Sequence, residues 1–333
     1  MLFDSYSGNT LVVIDSELWV CGIGNHGKLG LNDNLDRTTF TKVDNKFDGS
    51  GIKSVGCSYS LNIVLTNNGN VYISGSHPNI KVDGNKSDIF VQIDYLKNIE
   101  EIYSSKTQSS CFVAKKSNKL YLCNRSINKI YVDCNYIHKV CFNNKLYIIL
   151  TDRGLYSYNS ENKTLINIEF DKYNMIEDIV CTFLYSSYAI QQILLLVNED
   201  GVYKIYLYQL HNRTVKPIDG FTFMNPKFSY GSEIYIFEKN TKEYFRIDYD
   251  ANIHKRYYPT PNIEICDMIT NHSITFFITR DKIYYSGNYC IESGLSKDGS
   301  FDNYRIYEHE FLSNMPLDIF KKYKFVRTKN AKK

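Results

Sequence analysis

The chain has 333 residues, 43% of them hydrophobic, which is enough for one large core or for several smaller ones. A formal net charge of +3 falls short of the strong basicity of a dedicated nucleic-acid binder, and 6 Pro leave no room for a Pro-rich linker. No run approaches the ~18 apolar residues that a membrane helix needs, and Met1-Leu2-Phe3-Asp4 lacks the basic start of a signal peptide, so an intracellular location, cytoplasm or nucleus, is expected. Aromatics reach 15%, with 29 Tyr and 19 Phe, a composition that suits the half-buried surface of a β-sheet.

Taken in chain order, one pattern keeps returning: an apolar strand, a turn, and a second strand carrying an aromatic. Leu11–Ile14 leads to Leu18–Gly22. Asn62–Thr66 leads through Asn67-Asn68-Gly69 to Val71–Gly75. Cys111–Ala114 leads to Leu120-Tyr121, and Tyr147–Thr151 leads through Asp152-Arg153-Gly154 to Leu155-Tyr156. Ile193–Val197 leads through Gly201 to Val202-Tyr203, Ile234–Phe237 to Tyr244-Phe245, and Thr275–Thr279 to Ile283–Gly287. Turn glycines such as Gly69, Gly154 and Gly201 supply the positive φ that tight hairpins require. The second-strand aromatics Trp19, Tyr72, Tyr121, Tyr156, Tyr203, Phe245 and Tyr284 recur at intervals of 35 to 53 residues, whose mean falls within the roughly 40–50 residues of a four-stranded propeller blade. Short apolar segments precede the hairpins at Ile52–Val55, Ile99–Tyr103, Ile137–Val140 and Ile263–Ile265, and are expected to line a central channel.

These repeats predict an all-β chain: a seven-bladed β-propeller of four-stranded antiparallel blades, one domain over 1–326, followed by a basic tail over 327–333. The chain opens inside a hairpin, at Asn9-Thr10-Leu11. Ile319–Val326 is therefore expected to pair into the first blade and close the ring by joining N- and C-terminal strands, which removes an open edge.

The stretch Leu18-Trp19-Val20-Cys21-Gly22-Ile23-Gly24-Asn25-His26-Gly27-Lys28-Leu29-Gly30 resembles a repeat of the regulator of chromosome condensation family. Gly22, Gly27, Leu29 and Gly30 fall on that family's spacing. Cys21 stands where the family has Trp, Gly24 where it has Asn, and Lys28 where it has Gln. Val55-Gly56-Cys57-Ser58 through Val64-Leu65-Thr66 resembles the upstream half of the repeat, and Gly75 and Gly287 close the matching strands of the second and last blades. The middle blades keep the hairpin and lose the Gly-x-Leu-Gly tail, and Leu61 and Ile274 stand where the family has His. The Trp-Asp and double-Gly signatures of other propellers are not visible.

The resemblance implies a non-catalytic protein-protein interaction propeller, with guanine-nucleotide exchange or other regulation of a small GTPase as the specific form. The segments Asn79 to Ile89 and Phe170 to Asn174 are the insertions freest to reach such a partner. The alternative is a chromatin- or nucleic-acid-associated propeller using a basic face and the C-terminal tail, where Arg327, Lys329, Lys332 and Lys333 are candidate phosphate contacts. A monomer is expected, with no membrane partner.

No catalytic residue, cofactor site or metal site is expected. Gly22-x-Gly24-x-x-Gly27 spells a dinucleotide fingerprint, but the following Leu31–Phe40 lacks the apolar stripe of the helix that motif needs. The seven His show no zinc spacing. The 9 Cys form no C-x-x-C, and several lie in apolar runs, so buried free thiols are expected.

Overall fold

The computed structural model describes residues 2–6, 8–45, 47–77, 86–106, 110–124, 127–142, 145–183, 190–209, 214–230, 234–241, 243–247, 253–256, 264–270, 274–287 and 307–315. Within them the chain makes seven four-stranded antiparallel sheets, each strand hydrogen-bonded to its neighbour in sequence. Blade 1 is β1 (Phe3–Tyr6), β2 (Asn9–Ile14), β3 (Glu17–Gly22) and β4 (Arg37–Lys42). Blade 2 is β5 (Ile52–Cys57), β6 (Leu61–Thr66), β7 (Val71–Ser76) and β8 (Lys86–Gln92). Blade 3 is β9 (Glu101–Ser104), β10 (Phe112–Lys116), β11 (Lys119–Cys123) and β12 (Ile127–Tyr131). Blade 4 is β13 (Ile137–Phe142), β14 (Leu146–Thr151), β15 (Gly154–Asn159) and β16 (Thr164–Ile168). Blade 5 is β17 (Ile176–Phe183), β18 (Ile190–Glu199), β19 (Val202–Gln209) and β20 (Thr214–Pro217). Blade 6 is β21 (Pro226–Tyr230), β22 (Ile234–Glu238), β23 (Glu243–Ile247) and β24 (Ile253–Arg256). Blade 7 is β25 (Asp267–Thr270), β26 (Ile274–Ile278), β27 (Ile283–Gly287) and β28 (Tyr307–Glu308). The seven-bladed propeller read from the repeats is the fold, and all seven hairpins are the central pairs of their blades.

The core lies between blades, not within them. A strand points alternate side chains to opposite faces, so each sheet has two apolar faces, and each must be covered by a neighbour. Seven apolar clusters result, one at each seam. Buried Leu61 and Ile274, which replace the family's His, belong to this packing.

Three expectations need correction. The first blade does not take its inner strand from the C-terminus. Residues 3–6 form β1 and pair with β2 from Phe3↔Val12 to Tyr6↔Asn9. The ring closes by packing: Phe3, Val12 and Ile14 of blade 1 bury against Ile274, Phe276 and Ile278 of blade 7, with Leu312 of the helical turn α1 (Glu310–Ser313). Ile319–Val326 lies outside the described residues. Of the expected inner segment Ile263–Ile265 of the last blade, residue 263 lies outside the described residues and 264–265 precede the strand, which begins at Asp267 once Cys266 N has donated to Ile278 O at 2.7 Å. And Cys141 and Cys181 are not free thiols. They form a disulfide between the inner strands of blades 4 and 5, with Cα atoms 6.2 Å apart. The other described cysteines form no disulfide, and five of them are buried; burial pushes the Cys57 and Cys123 thiols up, which makes them poor nucleophiles.

Candidate interaction face

Antiparallel order decides what each face of the ring carries. Inner strands β5, β9, β13, β17, β21 and β25 all start from one face. The tips between second and third strands and the connectors between blades must therefore share that face. At six successive seams a carboxylate ties a tip to a connector. At the first, Asp48 accepts from Thr66 Oγ1 at 2.6 Å and Asn70 Nδ2 at 2.7 Å. Glu100 accepts from Ser117 N at 3.0 Å. Asp152 accepts from Asn135 N and Tyr136 N, both at 3.0 Å. Glu199 takes Lys172 Nζ at 2.5 Å, and Glu238 takes Met224 N at 2.7 Å and Asn225 N at 3.0 Å. Arg280 Nη2 donates to Glu264 Oε1 at 2.8 Å.

At Asp48, Asp152 and Glu199 the bonds favour the charged form. Burial pushes Asp48 up, but hydrogen bonds from Ser50, Thr66 and Asn70 outweigh it and hold the carboxyl at about 2. The Lys172 ammonium, with Lys204 and Tyr206, holds Glu199 at about 2. The Tyr136 N–H lowers Asp152.

These clamps fix connectors that would otherwise be loops, and four consecutive connectors then present exposed apolar side chains. Tyr95, Tyr136, Met175 and Met224 are 44%, 48%, 39% and 58% exposed. They sit between blades 2 and 3, 3 and 4, 4 and 5, and 5 and 6. Large side chains held on ordered backbone lose little entropy on binding, which suits recognition.

The channel is the other candidate, a cavity of about 500 Å³ walled by inner strands. Its charges are spent on holding blades together. Lys106 Nζ meets Asp4 Oδ1 at 2.6 Å, Lys227 meets Asp267 at 3.1 Å, and Lys139 pairs with Asp178 across the blade 4–5 seam. Lys53, Lys106, Lys139 and Lys227 face Asp4, Glu100, Glu101, Asp178 and Asp267, so the lining has no dominant sign to draw a charged ligand. Among the described residues no cluster of three or more His, Cys, Asp and Glu is placed to hold a metal ion.

The predicted repeat residues are brought together only at the first seam. Gly22 ends β3 and Gly75 is the last but one residue of β7, with φ of +114° and +100°, and a Cβ on either would strike the backbone carbonyl of Gly8 or Ser60. Gly27 and Gly30 lie against Asp88 and the Phe90 ring, and Leu29 is fully buried beneath them. Gly69 and Gly201 sit at hairpin tips, Gly154 opens β15, and Gly287 ends β27. Asn25–Gly27 is a single 3-10 turn, so the glycine fingerprint has no helix to offer a pyrophosphate. Phe170 to Asn174 is a tight turn running into a 3-10 turn, Tyr173–Met175, that Lys172 anchors to Glu199. Of Asn79 to Ile89, residues 86–89 belong to β8 and the rest lie outside the described residues, as do Arg327, Lys329, Lys332 and Lys333.

The six clamping carboxylates were not found in the sequence. Three lie at tips (Asp152, Glu199, Glu238) and three in connectors (Asp48, Glu100, Glu264), so they keep no fixed place in the repeat. The weak signal is an acid within or just before every connector-tip pair.

No protein-family model matches the sequence. Solved structures do. Prp20p from Saccharomyces cerevisiae, described with its binding to Gsp1p and histones, superposes with a TM-score of 0.50 at 13% identity, over 92% of this chain and 76% of that one. In fold, the chain resembles a diverged regulator-of-chromosome-condensation propeller. A streptogramin B lyase matches with a TM-score of 0.53 at 12% identity, over 86% of this chain and 92% of that one. PorZ of Porphyromonas gingivalis matches with 0.57 at 9% identity over 86% of this chain, which spans only 36% of PorZ. Identities this low speak for a shared fold alone.

Proposed function

We propose that this chain is a non-catalytic protein-binding propeller whose partner is a small GTPase, which it regulates or whose guanine nucleotide it helps to exchange. The observation that carries the protein-binding part is the clamped face, with Tyr95, Tyr136, Met175 and Met224 exposed on four neighbouring connectors. The GTPase part rests on the likeness to Prp20p, which binds Gsp1p. Release of fluorescent GDP from a panel of small GTPases tests it. Acceleration on at least one member is expected, and none on any member removes the exchange activity. Met175→Ser with Met224→Ser should weaken binding to the responding GTPase about tenfold or more, and equal binding sinks the assignment of this face.

The proposal includes a monomer in the cytoplasm or nucleus. The Cys141–Cys181 disulfide is the observation that this location has to answer, because disulfides are rare in the cytosol and nucleus. Alkylation of thiols in freshly lysed native cells decides the point, since an intracellular chain held reduced would label both cysteines.

A further inference from the structure

The outer edge of blade 3 differs from the clamped seams in having lysines without acids. Lys116 stands directly opposite Lys119, and Lys119 directly opposite Tyr131. One row away Tyr121 stands opposite Lys129. All five residues share the face turned towards blade 2, since side chains two apart along a strand point the same way. Lys129 Nζ lies 4.6 Å from the Tyr131 ring centroid and 5.8 Å from that of Tyr121, and Lys119 Nζ lies 5.5 Å from Tyr131. Lys116 Nζ donates to Lys97 O at 3.3 Å, which brings a fourth lysine to the corner. None of the four is in an ion pair among the described residues. The connector carboxylate that clamps this tip, Glu100, is engaged by Ser117.

That arrangement is costly for a sheet on its own. Like charges directly opposite each other destabilise a strand pair, and cation–π contacts at an exposed site return only about 0.5–1 kcal/mol. Several lysines elsewhere in the ring are paired with acids, as with Glu101, Asp178, Glu199 and Asp267. Tyr131, at the end of the outermost strand and 58% exposed, adds an accessible aromatic ring among these lysines. Lysines on a backbone track with an aromatic platform between them are the elements that hold unpaired bases and their phosphates.

We propose that the outer edge of blade 3 binds single-stranded nucleic acid, with Lys116, Lys119 and Lys129 on phosphates and Tyr131 stacking on a base. The site uses none of the four exposed connector side chains assigned to the protein partner, but it borders that face, since Lys97 belongs to the same connector as Tyr95. Duplex is disfavoured because its bases are already stacked on one another and leave the tyrosine nothing to cover.

The test uses the full chain and a fluorescein-labelled oligothymidylate of about 20 nucleotides, with anisotropy read at about 50 and 200 mM salt. Saturable binding is expected, weaker at the higher salt. Lys119→Gln with Lys129→Gln should weaken it about tenfold and lower the slope of log affinity against log salt by about 1.4. Tyr131→Ala should weaken it about tenfold and Tyr131→Phe should not, because stacking needs the ring alone. These side chains are at the surface, and thermal melts confirm that the variants fold. Absence of binding at the lower salt overturns the proposal. So does Tyr131→Ala binding like the wild type, which would leave only diffuse charge. Loss of binding on deleting residues 327–333, with the lysine double variant unaffected, overturns it in favour of the tail.

Discussion

The seam between blades 1 and 2 and the seam between blades 6 and 7 solve the same packing problem with different chemistry. At the first, Leu11, Val13, Val20, Leu29, Val55 and Val64 bury together, and a polar chain runs through the interface. Asn9 Nδ2 donates to Asn62 Oδ1 at 2.5 Å, and Asn62 Nδ2 donates to Lys28 O at 2.8 Å, which also accepts from Ser74 Oγ at 2.6 Å. The Gly27-Lys28-Leu29-Gly30 segment is threaded into the seam, so backbone from one blade lies against backbone of the next. At the other seam, Phe237, Tyr244, Ile265, Met268 and Phe277 pack as a mostly aromatic cluster, with Tyr244 edge-on to Phe277 at 5.3 Å. The lesson is that close backbone approach demands particular residues at particular positions, whereas ring packing demands only size and apolarity. The first seam keeps a readable motif and the second has drifted.

That difference can be broken by mutation. Gly75→Ala should be the most damaging change, on the order of 4 kcal/mol in urea unfolding, because its Cβ meets the Ser60 carbonyl at a φ that an L side chain rarely adopts. A loss under about 1 kcal/mol would mean that the first seam can relax like the last. Next comes the seam with a covalent tie. Cys181→Ser removes a bridge that closes a loop of 40 residues, and should cost about 3 kcal/mol under non-reducing conditions. With reductant present the variant and the parent chain should melt together. Asn62→Ala should cost about 2 kcal/mol, since it strands a buried donor on Asn9 and one acceptor position on Lys28 O. Phe277→Leu, in the aromatic seam, should cost only about 1 kcal/mol, because that cluster can repack. If it costs more than Asn62→Ala, the contrast between specified and adaptable seams fails.

The smallest effect is set by pH. Asp48 and Glu199 are held at about 2, below the ordinary carboxylate range. Groups lowered on folding stabilise the folded state above their ordinary pKa, near 4, and lose that stabilisation as pH falls towards 2. Melting temperature should therefore drop between about pH 4 and pH 2, and Asp48→Asn with Glu199→Gln should start lower and flatten that drop. An unchanged slope in the double variant would show that the clamps hold no net charge preference.

How much was legible follows from the same physics. The seven hairpins could be read because an apolar strand, a turn and an aromatic strand lie within a few consecutive residues. Gly22, Gly27, Leu29 and Gly30 could be read because their spacing is local. The inner strand of blade 1 was missed because Phe3–Tyr6 is only four residues, two of them the polar but buried Asp4 and Ser5, whose partners come from other strands. Asp4 accepts from Cys57 N at 2.7 Å and from Lys106 Nζ, contacts that bring together blades 1, 2 and 3. The disulfide was missed for the same reason: Cys141 and Cys181 lie on inner strands of different blades and become neighbours only when two sheets stack.

The periodicity of apolar and turn residues, a property of the chain's immediate neighbourhoods, was enough to determine that this protein is a ring of seven four-stranded sheets. Tertiary structure alone decided which end supplies the first strand, which cysteines meet, which carboxylates clamp the connectors, and where four lysines gather without acids. Each of those depends on residues from separate sheets, or from a strand and a distant connector, coming within a few ångströms, and no local pattern records that distance.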